Sequence, residues 1–214
     1  MTTAAHKGGT PRRLAAVLVA AALVAAGAAA WLLRPADSGR PFAMSSPAFD
    51  LLAIPKPGVC TKPATSPFTP TSVSIRGVVD DGQVLPLPRD GNNVPEVPPT
   101  SAKYAFAWDR PPGIRPGSPR GNVLLNAHTW PDGSAVGNVM LDKLDKGDRI
   151  VLRGGRSELC YTVTKRVEVL AKDGYPPYYD RKGSPQVALI VCSGKRLGPG
   201  DWTHRTIWFA QPAA

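Results

Sequence analysis

Val187-Ala188-Leu189-Ile190-Val191 is an uninterrupted apolar run, bounded by Pro185 on one side and Ser193-Gly194 on the other. Five residues are too few for a helix, and the Val and Ile content suits a strand in a core. A polar, glycine-bearing loop is expected from Ser193 to His204, followed by a second buried strand, Arg205-Thr206-Ile207-Trp208-Phe209. If the two pair as an antiparallel hairpin, the end of the first and the start of the second become neighbours about 5 Å apart. That places Arg205 beside Cys192.

Other short strands precede this pair. Ser72 to Val79 alternates polar and apolar residues, Asp80-Asp81-Gly82 supplies a turn, and Gln83 to Leu87 returns as a hairpin. Ser101 to Trp108 fits a short helix or a strand, and Asn122 to Ala127 reads as a buried strand ending at His128. Val136, Val139, Met140 and Leu144 have helical spacing, with Gly147-Asp148 as a stop before a strand from Arg149 to Leu152. Leu159 to Leu170 reads as a long strand with Tyr161, Val163, Val167 and Val169 on one apolar face. Lys172 to Gln186 forms a loop carrying Tyr175, Tyr178 and Tyr179, a candidate wall of a binding groove. Many short strands and one helix argue for an all-β domain, a closed or nearly closed barrel, over 71–214.

Two segments of different character come first. Leu14 to Leu33 is uncharged and about as long as a bilayer core requires, with Lys7, Arg12 and Arg13 ahead of it and Arg34 after it. Residues 1–34 therefore read as a cytoplasmic tail and a transmembrane signal-anchor, with the remainder outside the plasma membrane. A cleaved signal peptide is the rival, since Ala28-Ala29-Ala30 offers small residues, but the long apolar run favours an anchor. Residues 35–70 are rich in Pro, Ser, Ala and Thr and read as an extended spacer. Within it, Phe42, Phe49, Leu51, Leu52 and Ile54 could cover a groove.

The net charge of +10 comes from scattered Lys and Arg, without a basic run or nucleic-acid motif, so no nucleic-acid partner is expected. Three isolated histidines and no paired His or Cys spacing give no metal-ligand set, and no cofactor is implied. A monomer is expected.

Three cysteines in an exported chain leave one unpaired. Pairing Cys60 with Cys160 closes a loop of about a hundred residues, which stabilises by about 4 to 5 kcal/mol on the chain-entropy model. Cys192 then stays free. Pairings of Cys192 with Cys160 or with Cys60 are the alternatives. Thiolate chemistry on an amide needs a nucleophile, an acid for the leaving amine and a donor for the oxyanion. Cys192, His128 and Arg205 are of the right types: imidazole titrates near neutral pH, and guanidinium stays charged and offers forked donors. Arg196 is a rival to Arg205 but falls within the expected loop, and His204 should face away from Arg205 because neighbours alternate along a strand.

The sequence resembles the sortases, membrane-anchored cysteine transpeptidases of Gram-positive envelopes, and most nearly the actinobacterial class F group. The resemblance rests on Val123-Leu124-Leu125-Asn126-Ala127-His128, Lys146-Gly147-Asp148-Arg149-Ile150, Leu189-Ile190-Val191-Cys192-Ser193-Gly194 and Arg205 to Phe209. It implies an eight-stranded barrel with one or two short helices, in which Cys192, His128 and Arg205 converge. It also implies cleavage of an LPXTG-like sorting signal between Thr and Gly through a Cys192 thioester. Transfer would go to an amine of a peptidoglycan precursor or a pilin. Some sortases use calcium, but no dense acidic cluster is visible here. Val191 stands where the family usually has Thr, and Ala127 where class F usually has Gly. With Trp130 and the three tyrosines, these two residues are the candidate substrate-binding positions.

Overall fold

The computed structural model describes Ala64 and residues 66–213. Its elements are β1 (Ser72–Ile75), β2 (Val79–Leu87), β3 (Phe106–Asp109), β4 (Asn122–Ala127), α1 (Val136–Lys143), β5 (Arg149–Gly154), β6 (Ser157–Leu170), β7 (Gln186–Gly198) and β8 (Asp201–Pro212). Two short 3₁₀ turns, Ala171–Asp173 and Pro176–Tyr179, lie between β6 and β7. The strands close into a barrel in the order β1-β2-β3-β4-β7-β8-β6-β5, the eight-stranded all-β architecture expected. The expected transmembrane segment, nearly all of the spacer and Cys60 lie outside the described residues. Among the described residues no helix is long and apolar enough to cross a membrane.

Two apolar layers organise the barrel. Its interior holds Val73, Ile75, Phe106, Trp108, Leu125, Leu152, Tyr161, Leu189 and Trp208, closed at one end by Val136, Met140 and Leu144 of α1 and its C-cap. Trp208 is fully buried, and its indole N–H donates to the Leu144 carbonyl at 2.8 Å, which satisfies the polar edge and ties α1 to β8. A second cluster of Leu124, Tyr178, Ala188, Ile207 and Phe209 lies on the outer face of β4, β7 and β8. The segment between β6 and β7 covers it, which explains why the central strands are apolar on both faces.

Several expectations need correction. The first hairpin turns at Arg76-Gly77-Val78, where Gly77 adopts φ +75°, and Asp80-Asp81-Gly82 lies within β2. Asp81 takes φ 53° beside a register shift, so those polar residues form a bulge. The ambiguous stretch before Asp109 is turn as far as Ala105 and strand from Phe106. The single apolar face expected for β6 is divided by a bulge between Val163 and Lys165. Tyr161 and Val163 therefore join the interior, whereas Val167 and Val169 pack on the outer cluster. The expected loop from Ser193 to His204 is largely strand. β7 and β8 continue as a hairpin past two register shifts, pairing Arg196 with Trp202 and Gly198 with Asp201.

β2 and β3 run parallel, so a tight turn cannot join them and residues 88–105 form a strap on the outside. Arg89 anchors its start: Nε donates to both Asp109 carboxylate oxygens at 3.0 Å, with the two side chains only 9% and 1% exposed. Removing one partner of such a pair leaves an uncompensated buried charge. Arg89→Met is expected to lower unfolding stability by about 3 to 5 kcal/mol. Urea denaturation checks this, and a loss below 1 kcal/mol would show the anchor to be superficial.

Candidate active site

Cys192, His128 and Arg205 meet on the outer face through strand register. β4 and β7 pair in parallel up to Ala127 with Val191, so the next residue of each chain, His128 and Cys192, come side by side. Thr129 Oγ1 donates to the Cys192 carbonyl at 2.7 Å and holds the two ends together. Across the other edge of β7, Cys192 is paired directly with Arg205. Ala127, Val191 and Trp208 point into the interior core, so by alternation His128 and Cys192 point outward with Asn126 and Ile190, and Arg205 points outward with Ile207. All three candidate catalytic residues are half-buried. Cys192 is a free cysteine.

Burial pushes the Cys192 thiol above its ordinary pKa, and the positive charge of Arg205 pulls it partly back. The Arg205 guanidinium donates to the carbonyls of His204 at 2.9 Å and Trp202 at 3.2 Å, which holds it along its own strand. His204 pairs with Ser193 and lies on the face opposite Arg205, with Nδ1 2.8 Å from Thr203 Oγ1. Arg196, set aside as a loop residue, instead sits in β7 and helps to line a cleft of ≈ 560 Å³ beside the thiol. Val97, His128, Trp130, Cys192 and Trp202 also line it. Cys192 thus has Arg205 as its ladder partner and shares the cleft with Arg196.

The strap crosses the outward row of β4. Asn126 Nδ2 donates to the Glu96 carbonyl at 2.9 Å, and His128 Nε2 lies 2.6 Å from the Pro98 carbonyl. Asn126 is 7% exposed, and its Oδ1 is buried without a hydrogen-bond partner. Behind His128, the Gly137 N–H of α1 donates to the His128 carbonyl at 2.9 Å. A Cβ at Gly137 would stand 2.3 Å from that oxygen, so this helix position accepts only glycine without moving the histidine.

The candidate substrate-binding residues separate. The side chains of Ala127 and Val191 are part of the interior core and back the site without lining it. Tyr178 is buried in the outer cluster, its hydroxyl donating to the Leu125 carbonyl at 3.1 Å, so it supports the wall. Tyr175 packs on Phe209 with ring centroids 6.2 Å apart. Tyr179 is 42% exposed, and the Arg89 guanidinium lies 5.8 Å from its ring centroid. Trp130 lines the cleft, with Lys103 Nζ 4.7 Å from its ring centroid. Among the described residues no three His, Cys, Asp or Glu side chains are grouped to hold a metal ion. Asn126, Thr129, Arg196, Trp202 and Val97 complete the site. Of these, alternation alone could have flagged Asn126, two residues before His128.

Because burial raises the Cys192 pKa, its alkylation by iodoacetamide should still be accelerating above pH 8.5, the ordinary thiol value. Arg205→Ala removes the opposing positive charge, so the alkylation profile should move to higher pH. An unchanged profile would separate the two charges. Gly137→Ala should lower both stability, by about 1 to 3 kcal/mol, and any His128-dependent rate. Thermal unfolding and single-turnover kinetics check it.

The sequence pattern of the sortase domain family matches residues 91–213, more than half of the chain. A search of the curated proteins found no match. Among solved structures, sortase C of Streptococcus pneumoniae is similar at TM-score 0.51 and 17% identity, over 68% of each chain. Sortase C1 of Streptococcus agalactiae is similar at TM-score 0.50 and 18% identity, covering 67% of this chain and 66% of that one, just under two thirds of its length. Sortase C1 of Streptococcus suis is similar at TM-score 0.50 and 16% identity, over 68% and 73%. At such identities the likeness is one of fold. The family match, the closed eight-stranded barrel and the thiol, imidazole and guanidinium brought together on its outer face lead to one conclusion: this chain belongs to the sortase family of cysteine transpeptidases.

Proposed function

We propose that this protein cleaves an LPXTG-like sorting signal between Thr and Gly and transfers the acyl group to an amine of the cell envelope. The observation that carries the reading is the register that sets the free thiol of Cys192 between His128 and Arg205 on an outward face beside an open cleft. Cys192 rests mainly as the thiol, because burial disfavours the thiolate. Its proton must leave as sulfur attacks the Thr carbonyl, and His128 is the neighbouring group able to take that proton and give it to the departing glycine amine. Arg205 supplies positive charge for the oxyanion. The acceptor amine then attacks the thioester and the thiol is restored.

The acceptor in this reading is a peptidoglycan precursor or a pilin amine, and the acyl donors are LPXTG-type surface proteins. We place the enzyme in the plasma membrane, anchored by residues 14–33 with its barrel outside, because that uncharged run follows a cationic amino terminus. Within the family it is nearest to class F by the motifs around His128 and Cys192. The Cys60 to Cys160 disulfide belongs to the same proposal, supported by the free state of Cys192.

The full-length chain incubated with an LPXTG peptide and an amine should give amine-dependent product. Cys192→Ala should abolish it, and His128→Ala should reduce it by at least about 100-fold. Product that forms equally without amine would make the enzyme a hydrolase. Intact peptide with unreactive Cys192 would remove the catalytic reading. Denaturation without reductant should expose one free thiol per chain, and none or three would overturn the proposed pairing.

A further inference from the structure

The strap makes two contacts of one kind. Its Glu96 carbonyl accepts from Asn126, and its Pro98 carbonyl meets Nε2 of His128. Residues 96 and 98 thus contact 126 and 128, a two-residue step on both chains, so the strap lies extended along the outward row of β4. Val97, between the two contacts, lines the cleft that holds Cys192, so the strap borders the approach to the thiol.

The chemistry of the strap matches its position. Val94-Pro95-Glu96-Val97-Pro98 has an aliphatic residue, a proline, one variable polar residue, then a β-branched residue of the size and shape of threonine. Set against Leu-Pro-X-Thr-Gly, it departs mainly at the last position. There proline replaces glycine, and the bond that would be cut becomes a crowded tertiary amide. Val94 and Val97 are 50% and 56% exposed, so their side chains do not secure the strap to the barrel. Its ties to β4 are hydrogen bonds from two outward side chains, while Glu96 N–H donates within the strap to the Pro88 carbonyl at 3.2 Å and Pro98 is buried. The Asn126 amide, 93% buried and with Oδ1 unpartnered, retains an acceptor for a peptide N–H in addition to the donor it already uses.

We propose that Val94–Pro98 is an internal mimic of the sorting signal, held on a peptide-reading row of Asn126 and His128, and that a signal enters only when it lifts. This rests on the function proposed above. Asn126 is then a substrate-positioning residue whose side-chain amide reads the main chain of the bound signal. The resting enzyme is restrained by its own strap, and productive signals are those that outcompete it for the same two groups.

Two measurements on the full-length chain test this. Asn126→Leu keeps the side-chain size but removes the tie to Glu96, so the strap should lift more often. Cys192 should then be alkylated by iodoacetamide about fivefold faster, the effect of losing one hydrogen bond. An unchanged rate overturns the restraint, and this readout needs no peptide turnover. The second variant combines Val97→Thr with Pro98→Gly, which turns the strap into a cleavable signal. The Cys192 sulfur would add to the carbonyl of residue 97, the C–N bond to residue 98 would break with a proton passing to its amine, and water would release the carboxylate and the thiol. Mass spectrometry should find a nick between residues 97 and 98, independent of protein concentration and absent when Cys192→Ala is added. An intact double variant, in an enzyme that cleaves free LPXTG peptide, overturns the mimic while leaving the proposed function standing. If the unmodified enzyme leaves free peptide intact, that function fails and the alkylation arm alone decides on the strap.

Discussion

Everything at the site depends on the hydrogen-bond ladder on the two edges of β7. One edge runs parallel to β4 and the other antiparallel to β8, and both registers are continuous to the level of Cys192. A slip of one residue on either edge would turn His128 or Arg205 to the interior face, because side chains alternate with period two. The apolar residues that resist such a slip are the ones beneath the site. Leu125, Ala127, Leu189, Val191 and Trp208 are at most 6% exposed inside the barrel, so moving any of these strands by one residue would place apolar groups in water and polar groups in the core.

The same alternation governs what the site contains. Val191 and Ala127 adjoin the candidate catalytic residues in sequence, yet their side chains belong to the core. Their influence on chemistry is through packing beneath the backbone of Cys192 and His128. The cleft beside the thiol is bordered instead by Thr129 and Trp130, which follow His128, by Arg196 and by Val97 of the strap. α1 contributes through Gly137, whose N–H supports the His128 carbonyl from behind. The histidine is thereby fixed on one side by a helix and met on the other by the strap.

Buried polarity is concentrated where the barrel needs orientation more than adhesion. The Arg89 and Asp109 pair fixes the point at which the strap leaves β2. Asn122 donates to the carbonyls of Pro177 and Tyr178 and pins the tyrosine segment over the outer cluster. Such fully paired groups specify position through hydrogen-bond geometry, which apolar contacts cannot do. Asn126 differs from them in keeping one buried oxygen unpartnered, and it is the one that lies two residues before His128.

By itself the sequence determined the local features. The runs Val187 to Val191 and Asn122 to Ala127, the helix beginning at Val136, the long strand ending at Leu170 and the pairing of Cys192 with Arg205 were all legible, because periodicity and strand termini are properties of neighbouring residues. The bulge at Val163 to Lys165 was not, since inserting one residue into a ladder leaves the hydrophobic pattern intact while exchanging the faces. Polarity suggested a loop at Ser193 to His204, but a hairpin extended beyond the barrel can be polar on both faces and still satisfy its backbone through the partner strand. Only the tertiary structure decided that β4 would lie parallel to β7 and that the strap would cross their outer face. Both join residues about thirty to sixty positions apart, and contacts of that range are selected by packing and loop closure, which no local pattern records.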